Sequence, residues 1–331
     1  MILIFSTALD PATNDVMPWL ARGRSKIVRV NDDDSPAEPI ELELSETDVR
    51  FRLDGRWYSS GDLEAVWYRK GTFWFPAADS PLHFPGQEAL QAKLEARLKS
   101  ETSVARQYFH HFLQAAGTRV LGTPSGDPNK LVVLHKAREV GLKVPPFQVL
   151  NRLGQSQLAD PSRYITKAMS DGLYLWDFDG AQRGYFSYTE ELQTALPERN
   201  GADGFPLSFV QEKIRKRFET RTFYLDGRMF SAAIYSQNDP QTSVDYRKYN
   251  YRRPNRNVPI DLPADVAEKL DRLFRALELN TGSVDMIVDE DGEFVFLEIN
   301  PTGQYSYVSK ICNFNIDQLI AEWLVAETID G

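Results

Sequence analysis

The sequence of 331 residues has one cysteine, four histidines and no long apolar run. The single thiol, Cys312, excludes an internal disulfide, and scarce cysteine is typical of a reducing cytoplasm. No stretch reaches the roughly 18 apolar residues of a membrane span, and the opening MILIFSTALD lacks the basic flank of a signal peptide. The net charge of −9, from 38 basic and 47 acidic residues, argues against nucleic acid or an anionic membrane as partner. These absences predict a cytoplasmic globular protein.

Common catalytic signatures are also missing from the chain. The histidines, at positions 83, 110, 111 and 135, show no zinc-ligand spacing with Cys312. No G-x-S-x-G nucleophile elbow, G-x-x-x-x-G-K-[ST] phosphate loop or G-x-G-x-x-G dinucleotide fingerprint occurs. Zinc chemistry, serine hydrolysis and the two commonest nucleotide loops therefore find no support.

Apolar periodicity and turn residues predict a mixed fold. The hydrophobic content of 42% and charged content of 26% are ordinary for a globular protein, and the length suggests about two domains. Strand and helix patterns intermix, which indicates an α/β or α+β class in two to three lobes. The Gly/Pro-rich segment at residues 122–128 is the best candidate boundary. We predict helices over 87–116, 263–278 and 315–326, a strand over 209–221, and hairpins turning at Asp54-Gly55 and Asp226-Gly227.

The stretch SVDMIVDEDGEFVFLEINPTGQY (283–305) places polar side chains inside apolar runs. Asp291-Gly292 is typical of a two-residue type I′ hairpin turn, in which both central residues have positive φ. That turn predicts that Asp285 lies directly opposite Glu298. Asn300 follows two residues later, so strand alternation predicts that it shares their face.

Directly opposed carboxylates destabilise a sheet unless they share a proton or hold a cation between them. Two carboxylates and an amide carbonyl form an all-oxygen ligand set, which suits Mg²⁺ bound together with phosphates. The alternative is an ordinary exposed hairpin with acidic decoration. Both interpretations stay open on these residues alone.

Two lysines are candidates for contacting phosphates. Lys130 follows Asn129 at a predicted helix start, where backbone amides and the helix dipole favour anions. Lys167 places a charge inside the apolar strand YITKAM. Either lysine alone could equally be a surface residue whose charged end reaches solvent.

The segment FVQEKIRKRFETR (209–221) is unusually basic for an acidic protein. In strand alternation, one face would carry four cations around one carboxylate: Lys213, Arg215, Arg217, Glu219 and Arg221. One interpretation is an edge strand protected by its charges. The other is a nucleotide edge, in which the QEKI backbone borders adenine, Glu219 accepts from ribose hydroxyls and Arg221 faces the transferring phosphate.

These residues together resemble a known family. Asp285, Glu298 thirteen residues on, and Asn300 within LEINPTGQ are similar to the metal signature of ATP-grasp ligases. With Lys130, Lys167 and QEKI, the resemblance spans residues 125–311. The segments AVWYRKG, KRFETR, DYRKYN and SKICNFNID resemble the graspetide (microviridin-type) synthetases, especially the grasp-with-spasm group. The loop SDGLYLWDFDG after Lys167 departs from the family, because it has fewer glycines than the usual phosphate-covering loop.

The resemblance implies a fold of three lobes, with domains at 1–122, 123–207 and 208–331 and ATP between the last two. It implies that ATP and Mg²⁺ are cofactors and that a precursor peptide containing Ser/Thr and Asp/Glu is the partner. An acidic side chain of the peptide would be phosphorylated and then joined to a Ser/Thr hydroxyl or a Lys amine, closing a ring. A homodimer is compatible with the sequence. The alternatives are a ligase that adds an amino acid to a small molecule or protein tail, and a nucleotide-binding scaffold that does not ligate.

The resemblance also implies a role for each candidate residue. The residues fall into three groups: Mg²⁺ ligands, residues that contact ATP, and residues that act in catalysis or bind the peptide. The metal ligands are Asp285, Glu298 and Asn300; the ATP residues are Lys130, Lys167, Glu212, Ile214 and Glu219; the catalytic arginines are Arg221 and Arg247, with Lys216 and Arg217 toward the peptide.

Overall fold

The computed structural model describes residues 1–31, 40–73, 84, 86–124, 128–152, 160–170, 174–176, 184–195, 206–239, 244–245, 248, 250 and 252–326. The chain divides into two compact units. Unit 1 comprises Met1–Gly126, Gln304–Ser309 and Asn315–Gly331, and unit 2 comprises Asp127–Gly303 and Lys310–Phe314. The three domains expected from the sequence stay a prediction.

The mixed class expected from the sequence is confirmed, since helices and strands intermix along the whole chain. The helices are α1 (Pro11–Leu20), α2 (Glu88–Ala115), α3 (Lys130–Glu139), α4 (Leu192–Ala195), α5 (Ala264–Ala276), α6 (Ser306–Cys312) and α7 (Ile316–Val325). The strands are β1 (Ile2–Ser6), β2 (Ile27–Asn31), β3 (Glu41–Leu44), β4 (Val49–Leu53), β5 (Arg56–Ser59), β6 (Ala65–Tyr68), β7 (Arg119–Leu121), β8 (Phe147–Leu150), β9 (Tyr164–Lys167), β10 (Tyr174–Trp176), β11 (Gly184–Phe186), β12 (Glu190–Glu191), β13 (Ser208–Glu212), β14 (Lys216–Leu225), β15 (Arg228–Tyr235), β16 (Arg256–Ile260), β17 (Thr281–Asp289) and β18 (Phe294–Asn300). No helix in the described part of the chain is long and apolar enough to cross a membrane.

Unit 1 is built on a parallel sheet in the order β2-β1-β6-β7. Strand β1 is buried along its whole length, as its unbroken apolar run predicts for a parallel sheet. Helix α1 is capped by Asp10, whose carboxylate accepts from the Thr13 N–H, and it packs against α7. A second sheet, β3-β4-β5, is antiparallel, and its turn at Asp54-Gly55 has positive φ at both residues, as predicted.

Unit 2 contains two antiparallel sheets that form the walls of the candidate site. Their strand orders are β12-β9-β13-β8 and β16-β15-β14-β17-β18. Helices α3 and α5 share one apolar core with the larger sheet, including Leu134, Leu270, Phe274, Met286 and Phe296. The turn at Asp226-Gly227 has φ of 44° and 87°, which confirms the predicted two-residue hairpin between β14 and β15.

The predicted strand over 209–221 is wrong, because the chain changes sheets within it. Strand β13 ends at Glu212 in the smaller sheet, and β14 begins at Lys216 in the larger one. A bulge at Arg217 then shifts the pairing of β14 with β17. The predicted charged face therefore does not form: of its five members, Glu219 and Arg221 keep the strand alternation. Charge alternation alone does not reveal which sheet a strand joins.

The predicted type I′ turn at Asp291-Gly292 is also wrong. Gly292 has a φ of 90°, whereas Asp291 is not among the residues with positive φ. The Gly292 N–H donates to the Asp289 carbonyl at 3.1 Å, and the Asp289 N–H donates to the Glu293 carbonyl at 3.1 Å. This is a three-residue loop ending in a left-handed glycine. The Asp289 carboxylate stabilises it by accepting from the Asp291 and Glu293 N–H groups at 3.1 and 2.8 Å.

Candidate active site

A bulge at Leu297 determines which face of β18 carries Glu298. Met286 pairs with Phe296, but the next residue back, Asp285, pairs with Glu298. Phe296 is fully buried in the core, and simple alternation would turn Glu298 toward that same side. The extra residue rotates Glu298 onto the face of Asp285. The predicted pairing is thus confirmed, although it arises from a longer loop and a bulge rather than from a tight turn.

Asn300 continues this face at the end of β18, where it pairs with Ser283. The chain just beyond it packs closely against β17. A Cβ on Gly303 would lie 2.5 Å from the Ser283 Cβ and Oγ, so only glycine fits there without movement. The Thr302 hydroxyl lies 3.4 Å from Asn300 Oδ1, to which it donates. Glycine and the neighbouring threonine thus hold the amide beside the two carboxylates.

Both candidate lysines approach Glu298. The Nζ of Lys130 lies 3.3 Å from Glu298 Oε2, and the Nζ of Lys167 lies 3.7 Å from the same oxygen. Lys130 also donates to the Ala168 carbonyl at 2.9 Å. The Asn129 side chain accepts from two amides of the first turn of α3, so the ammonium groups, rather than a bare helix start, present positive charge here.

Strand β14 supplies two further charged side chains. Arg221 is the cross-strand partner of Asp285, and its guanidinium nitrogen lies 3.5 Å from Asp285 Oδ2. Glu219 lies two residues earlier and is almost fully buried; Lys216 donates to one of its oxygens at 2.6 Å and Ser236 to the other at 2.5 Å. Burial raises the pKa of Glu219 above its ordinary value, and the nearby Lys216 and Ser236 only partly oppose this.

Most of these side chains line two adjoining clefts within unit 2, which share Lys167, Leu297 and Glu298. The first cleft lies between the two sheets and encloses about 790 Å³, including the part open to solvent. Its predicted members are Lys167, Glu212, Ile214, Lys216, Glu219, Asp285 and Glu298. The second cleft adds Lys130 and Asn300, together with the hydroxyl-bearing side chains Ser170, Ser187, Tyr188 and Thr302.

Three predicted residues are not among the described residues that line these clefts. Arg221 lies beside Asp285, 3.5 Å from its carboxylate, but lines neither cleft. Arg217 is exposed on the bulge of β14, next to Lys216, whose pairing partner Asp289 marks the turn end of the β17–β18 hairpin. Arg247 lies outside the described residues, as do most of the residues of the SDGLYLWDFDG loop. The predicted roles of Arg217 and Arg247 toward the peptide therefore stay predictions.

Sequence reasoning missed several residues that line the first cleft. Gln211 is fully buried there, and Asp245 is nearly so, with its carboxylate accepting from the Thr189 N–H at 3.1 Å. Each is adjacent to a stretch already singled out, since Gln211 precedes Glu212 and Asp245 begins DYRKYN. Attention to the residues next to those stretches could have found them.

The donor set suits a hard divalent cation. No group of three or more His, Cys, Asp or Glu side chains forms a metal site within the described ranges. A cation here would therefore be held by Asp285, Glu298 and the amide oxygen of Asn300, with its other ligands supplied from outside the protein. Mg²⁺ commonly binds in this way, through one or two carboxylates plus phosphates and waters. The residues fit that ion.

Solved structures share the architecture of this chain, whereas no protein-family model and no curated protein sequence matches it. Macrocyclase MdnC from Microcystis aeruginosa, bound with precursor peptide MdnA, has a TM-score of 0.68 and 23% identity over 99% of this chain and 100% of its own. The ATP-grasp ligase PsnB, complexed with minimal precursor, Mg and ADP, has a TM-score of 0.69 and 19% identity over 98% of this chain and 96% of its own. D-alanyl-alanine synthetase A from Vibrio cholerae has a TM-score of 0.54 and 13% identity over 98% and 96%.

These likenesses extend over nearly the whole of each chain. At such low identity they establish the fold, and they confirm the ATP-grasp fold that the resemblance implied. The chain has the ATP-grasp fold.

Proposed function

We propose that this protein is an ATP-dependent macrocyclase. It activates an Asp or Glu side chain of a ribosomally made precursor peptide and joins it to a Ser/Thr hydroxyl or a Lys amine of the same peptide. The observation that carries the proposal is the opposition of Asp285 and Glu298, on an ATP-grasp fold, at two adjoining clefts that also present Lys130 and Lys167.

The reaction proceeds in two steps. An oxygen of the substrate carboxylate attacks the γ-phosphorus of ATP, the bond to the β–γ bridging oxygen breaks, and ADP leaves with that electron pair. The hydroxyl or amine then attacks the acyl carbon and loses its proton, and inorganic phosphate leaves. The peptide loses one water per ring, while ATP becomes ADP and phosphate.

The residues of the two clefts supply the charges that these steps need. Asp285, Glu298 and Asn300 hold Mg²⁺, which supplies a compact positive charge for the phosphates when bound. Lys130 and Lys167 counter the phosphate charge from the opposite wall. Charges interact more strongly in a partly dry cleft than in water, because the dielectric constant is lower. Charges that are already fixed in place also need no reorganisation when negative charge develops.

The nucleotide base and sugar belong in the first cleft. The backbone between Glu212 and Ile214 borders the adenine, since this segment leaves one sheet and has not yet joined the next. The Glu212 carboxylate lies 3.4 Å from the Arg163 guanidinium. Glu212 therefore contributes its backbone, rather than its side chain, to the cleft. Glu219 is assigned to the ribose, where a hydroxyl would join Lys216 and Ser236 around its carboxylate.

The substrate carboxylate needs its own cations, because it must approach the negatively charged γ-phosphate. The net charge of −9 cannot attract an acidic peptide, so a local basic patch is required. We assign this task to Arg221 and Arg247, with Lys216 and Arg217 nearby. Arg221 supports the assignment best, because it lies beside Asp285.

A ligase that adds an amino acid is the second candidate. The D-alanyl-alanine synthetase likeness favours it, but that TM-score of 0.54 is below the 0.68 of the macrocyclase. A non-ligating scaffold is disfavoured because Asp285, Glu298 and Asn300 are all present on one face, and nucleotide binding alone rarely needs every metal ligand. We place the enzyme in the cytoplasm, on the evidence of its single cysteine.

The test uses the purified protein with ATP, Mg²⁺ and a short Thr- and Asp/Glu-rich peptide encoded beside its gene. We expect ADP release and loss of one water per ring from the peptide, measured by mass spectrometry. The Arg247→Ala variant should keep its ATP affinity within about tenfold, roughly 1.4 kcal/mol, but leave the peptide unmodified.

Other outcomes separate the candidates. Consumption of a free amino acid with the peptide unchanged would support the amino-acid ligase. ATP binding without turnover in the presence of either substrate would support the scaffold. Normal cyclisation by Arg247→Ala would contradict the role of that arginine alone.

A further inference from the structure

Three exposed arginines stand together at the outer strand of the larger sheet of unit 2. Arg252 and Arg253 lie in the turn before β16, and Arg256 is the first residue of that strand; we call these three residues the arginine edge. Among the residues that the structure describes, none of the three guanidinium groups has an ion pair or a hydrogen bond. Residues 246–260 contain five basic residues and no acidic one. This is a local concentration of positive charge in an acidic protein.

These cations do not neutralise acids of the fold. Three exposed arginines elsewhere each have a carboxylate partner: Arg50 with Glu43, Arg97 with Glu101 and Arg275 with Asp271. Within the arginine edge, Arg253 and Arg256 are separated by at most about 11 Å of backbone. That is close to the Debye length of roughly 8–10 Å, so the arginines repel one another. An anionic partner that binds them explains why they are placed together.

Protection of an edge strand does not explain the arginines as well. Charged side chains do keep edge strands from pairing with other chains. Strand β16 already has two other protections, because Pro259 has no N–H to donate and the Asn257 side chain donates to the Asn255 carbonyl at 3.1 Å. Three further cations at its start are therefore not needed for that purpose.

The turn that carries the first two arginines is fixed by Asn250. Its side-chain oxygen accepts from the Arg252 N–H at 3.0 Å and from the Arg253 N–H at 3.3 Å. Its amide nitrogen donates to the Asp239 carboxylate at 2.6 Å. These contacts use only the backbone of the arginines and leave both guanidinium groups exposed. A surface that is held in place loses less conformational entropy when a partner binds.

The arginine edge lies at the end of the sheet where β14 begins. Arg256 pairs with Tyr235, the last residue of β15, whose exposed ring lies 5.3 Å from the ring of Phe218 in β14. The chain reaches the arginines directly from the candidate site, because Asp245 lines the first cleft and lies seven residues before Arg252. A bound peptide is long enough to contact the cleft and the arginine edge at the same time.

We propose that the arginine edge binds carboxylates of the precursor peptide that lie outside the ring being closed. This inference rests on the proposed function and deepens it by naming a second surface for the same partner. The planar guanidinium group binds a carboxylate through two parallel N–H donors. The local positive field also offsets the repulsion between an acidic peptide and a protein of net charge −9.

The test combines Arg252→Gln, Arg253→Gln and Arg256→Gln in one variant. Cyclisation of the Thr- and Asp/Glu-rich peptide encoded beside the gene is measured at saturating ATP and Mg²⁺. The peptide KM should rise about tenfold, since each exposed ion pair contributes about two- to threefold, while kcat and the KM for ATP stay unchanged. Added salt should raise the peptide KM of the wild type more than that of the variant, because salt screens exposed charges. Hexaglutamate should compete with the peptide for the wild type and much less for the variant.

A matched control changes the net charge by the same amount. It combines Arg50→Gln, Arg97→Gln and Arg275→Gln, which are exposed arginines already paired with carboxylates. The control should keep the wild-type peptide KM, its salt dependence and its inhibition by hexaglutamate. Circular dichroism and thermal unfolding check that both triple variants are folded.

The outcomes separate this inference from the proposed function. If the wild type cyclises the peptide and the Arg252/Arg253/Arg256 variant keeps its KM and salt dependence, the inference is wrong and the proposed function stands. Equal increases in KM for the variant and the control would also overturn it, because net charge alone would then explain them. Binding of a short single-stranded RNA that the variant loses, with an unchanged peptide KM, would assign the arginine edge to nucleic acid instead. If the wild type leaves the peptide unmodified, the proposed function fails and the inference fails with it.

Discussion

Asp10 in unit 1 and Glu298 in unit 2 are both carboxylates set between two cations, yet only one is closed to solvent. The Asp10 side chain has no exposed surface; Arg69 lies 3.3 Å from it, Lys70 lies 3.2 Å from it, and Thr13 donates both its N–H and its hydroxyl at 2.9 Å. Glu298 is 28% exposed, and its lysines lie at 3.3 and 3.7 Å. The two clusters have similar charges and very different access.

The difference separates structural from functional charge. Burial raises the pKa of Asp10, but Arg69, Thr13 and Lys70 together hold it below its ordinary value. Its partners include two donors from the first turn of α1, so it connects a helix start to a parallel sheet. Glu298 has long contacts at the mouth of a cleft, where a cation and phosphates can compete for the same groups. The predictions below test that distinction.

The largest expected effect is on catalysis, from Glu298→Gln. Losing a charged group of the proposed metal site should reduce ATP turnover by about a thousandfold or more, while the melting temperature changes little, because the side chain is not part of the core. Phosphate release and thermal unfolding measure the two quantities. Glu290→Gln, an exposed change in the loop of the same hairpin, is the control and should keep its activity. Full turnover by Glu298→Gln would rule out the metal assignment.

The opposite pattern is expected for Asp10→Ala. Removing one partner of the buried Asp10–Arg69 pair typically costs roughly 3–5 kcal/mol. Urea unfolding measures the loss. Glu41→Ala, which breaks an exposed pair with Arg52, is the matched control and should cost about 1 kcal/mol or less. Equal losses in the two variants would contradict the distinction between the clusters.

The same carboxylate predicts how stability depends on pH. Because the folded protein holds the pKa of Asp10 below its unfolded value, the stabilisation is present above pH ~4 and is lost as the pH falls through the folded pKa. The difference in stability between the wild type and Asp10→Asn should therefore shrink on acidification. A constant difference between pH 7 and acid would show that the ion pairs do not provide the stabilisation.

The smallest expected effect comes from Gly303→Ala. The added methyl group would meet Ser283 and push the chain beyond Asn300 outward, at a cost of about 1–3 kcal/mol for overpacking. Because Asn300 moves with this segment, the Mg²⁺ concentration needed for half-maximal turnover should rise. Ser283→Gly in the same chain removes the two 2.5 Å contacts and leaves the 3.0 Å contact with the Asn300 carbonyl, so it should restore most of both quantities. A stability loss with unchanged Mg²⁺ dependence would show that Gly303 does not position the proposed metal ligand Asn300.

Much of the fold could be predicted, because it depends on local signals. The strand β1, the helices α2, α5 and α7, and the turns at Asp54-Gly55 and Asp226-Gly227 all follow from apolar period and turn residues. Asp291-Gly292 is the same dipeptide, yet it forms a longer loop because the preceding Asp289 carboxylate captures two backbone N–H groups. A dipeptide preference is weaker than a specific side-chain contact next to it.

The site was partly predictable for a related reason. The opposition of Asp285 and Glu298 was predicted correctly, because the longer loop and the bulge at Leu297 offset each other by one residue. The environment of Gln211 depends on its neighbours in three strands and could not be read from one segment. The sheet change between Glu212 and Lys216 was missed for the same reason, since strand alternation carries no information about the partner.

The bulge at Leu297 divides the β17–β18 hairpin into a loop end that tolerates insertions and deletions and a strand end that does not. Residues added to or removed from the loop at 290–292 would lengthen or shorten the tip of the hairpin. The strand pairs from Met286–Phe296 to Ser283–Asn300 would stay unchanged. A single residue lost between Phe296 and Glu298 would instead invert the last part of β18 and exchange its carboxylate face with its apolar one. Insertions and deletions among natural variants of this chain should therefore be found at the tip and be absent from the four residues that follow Phe296. The chain distance between the two carboxylates is free to vary, whereas the spacing from Phe296 to Asn300 is not.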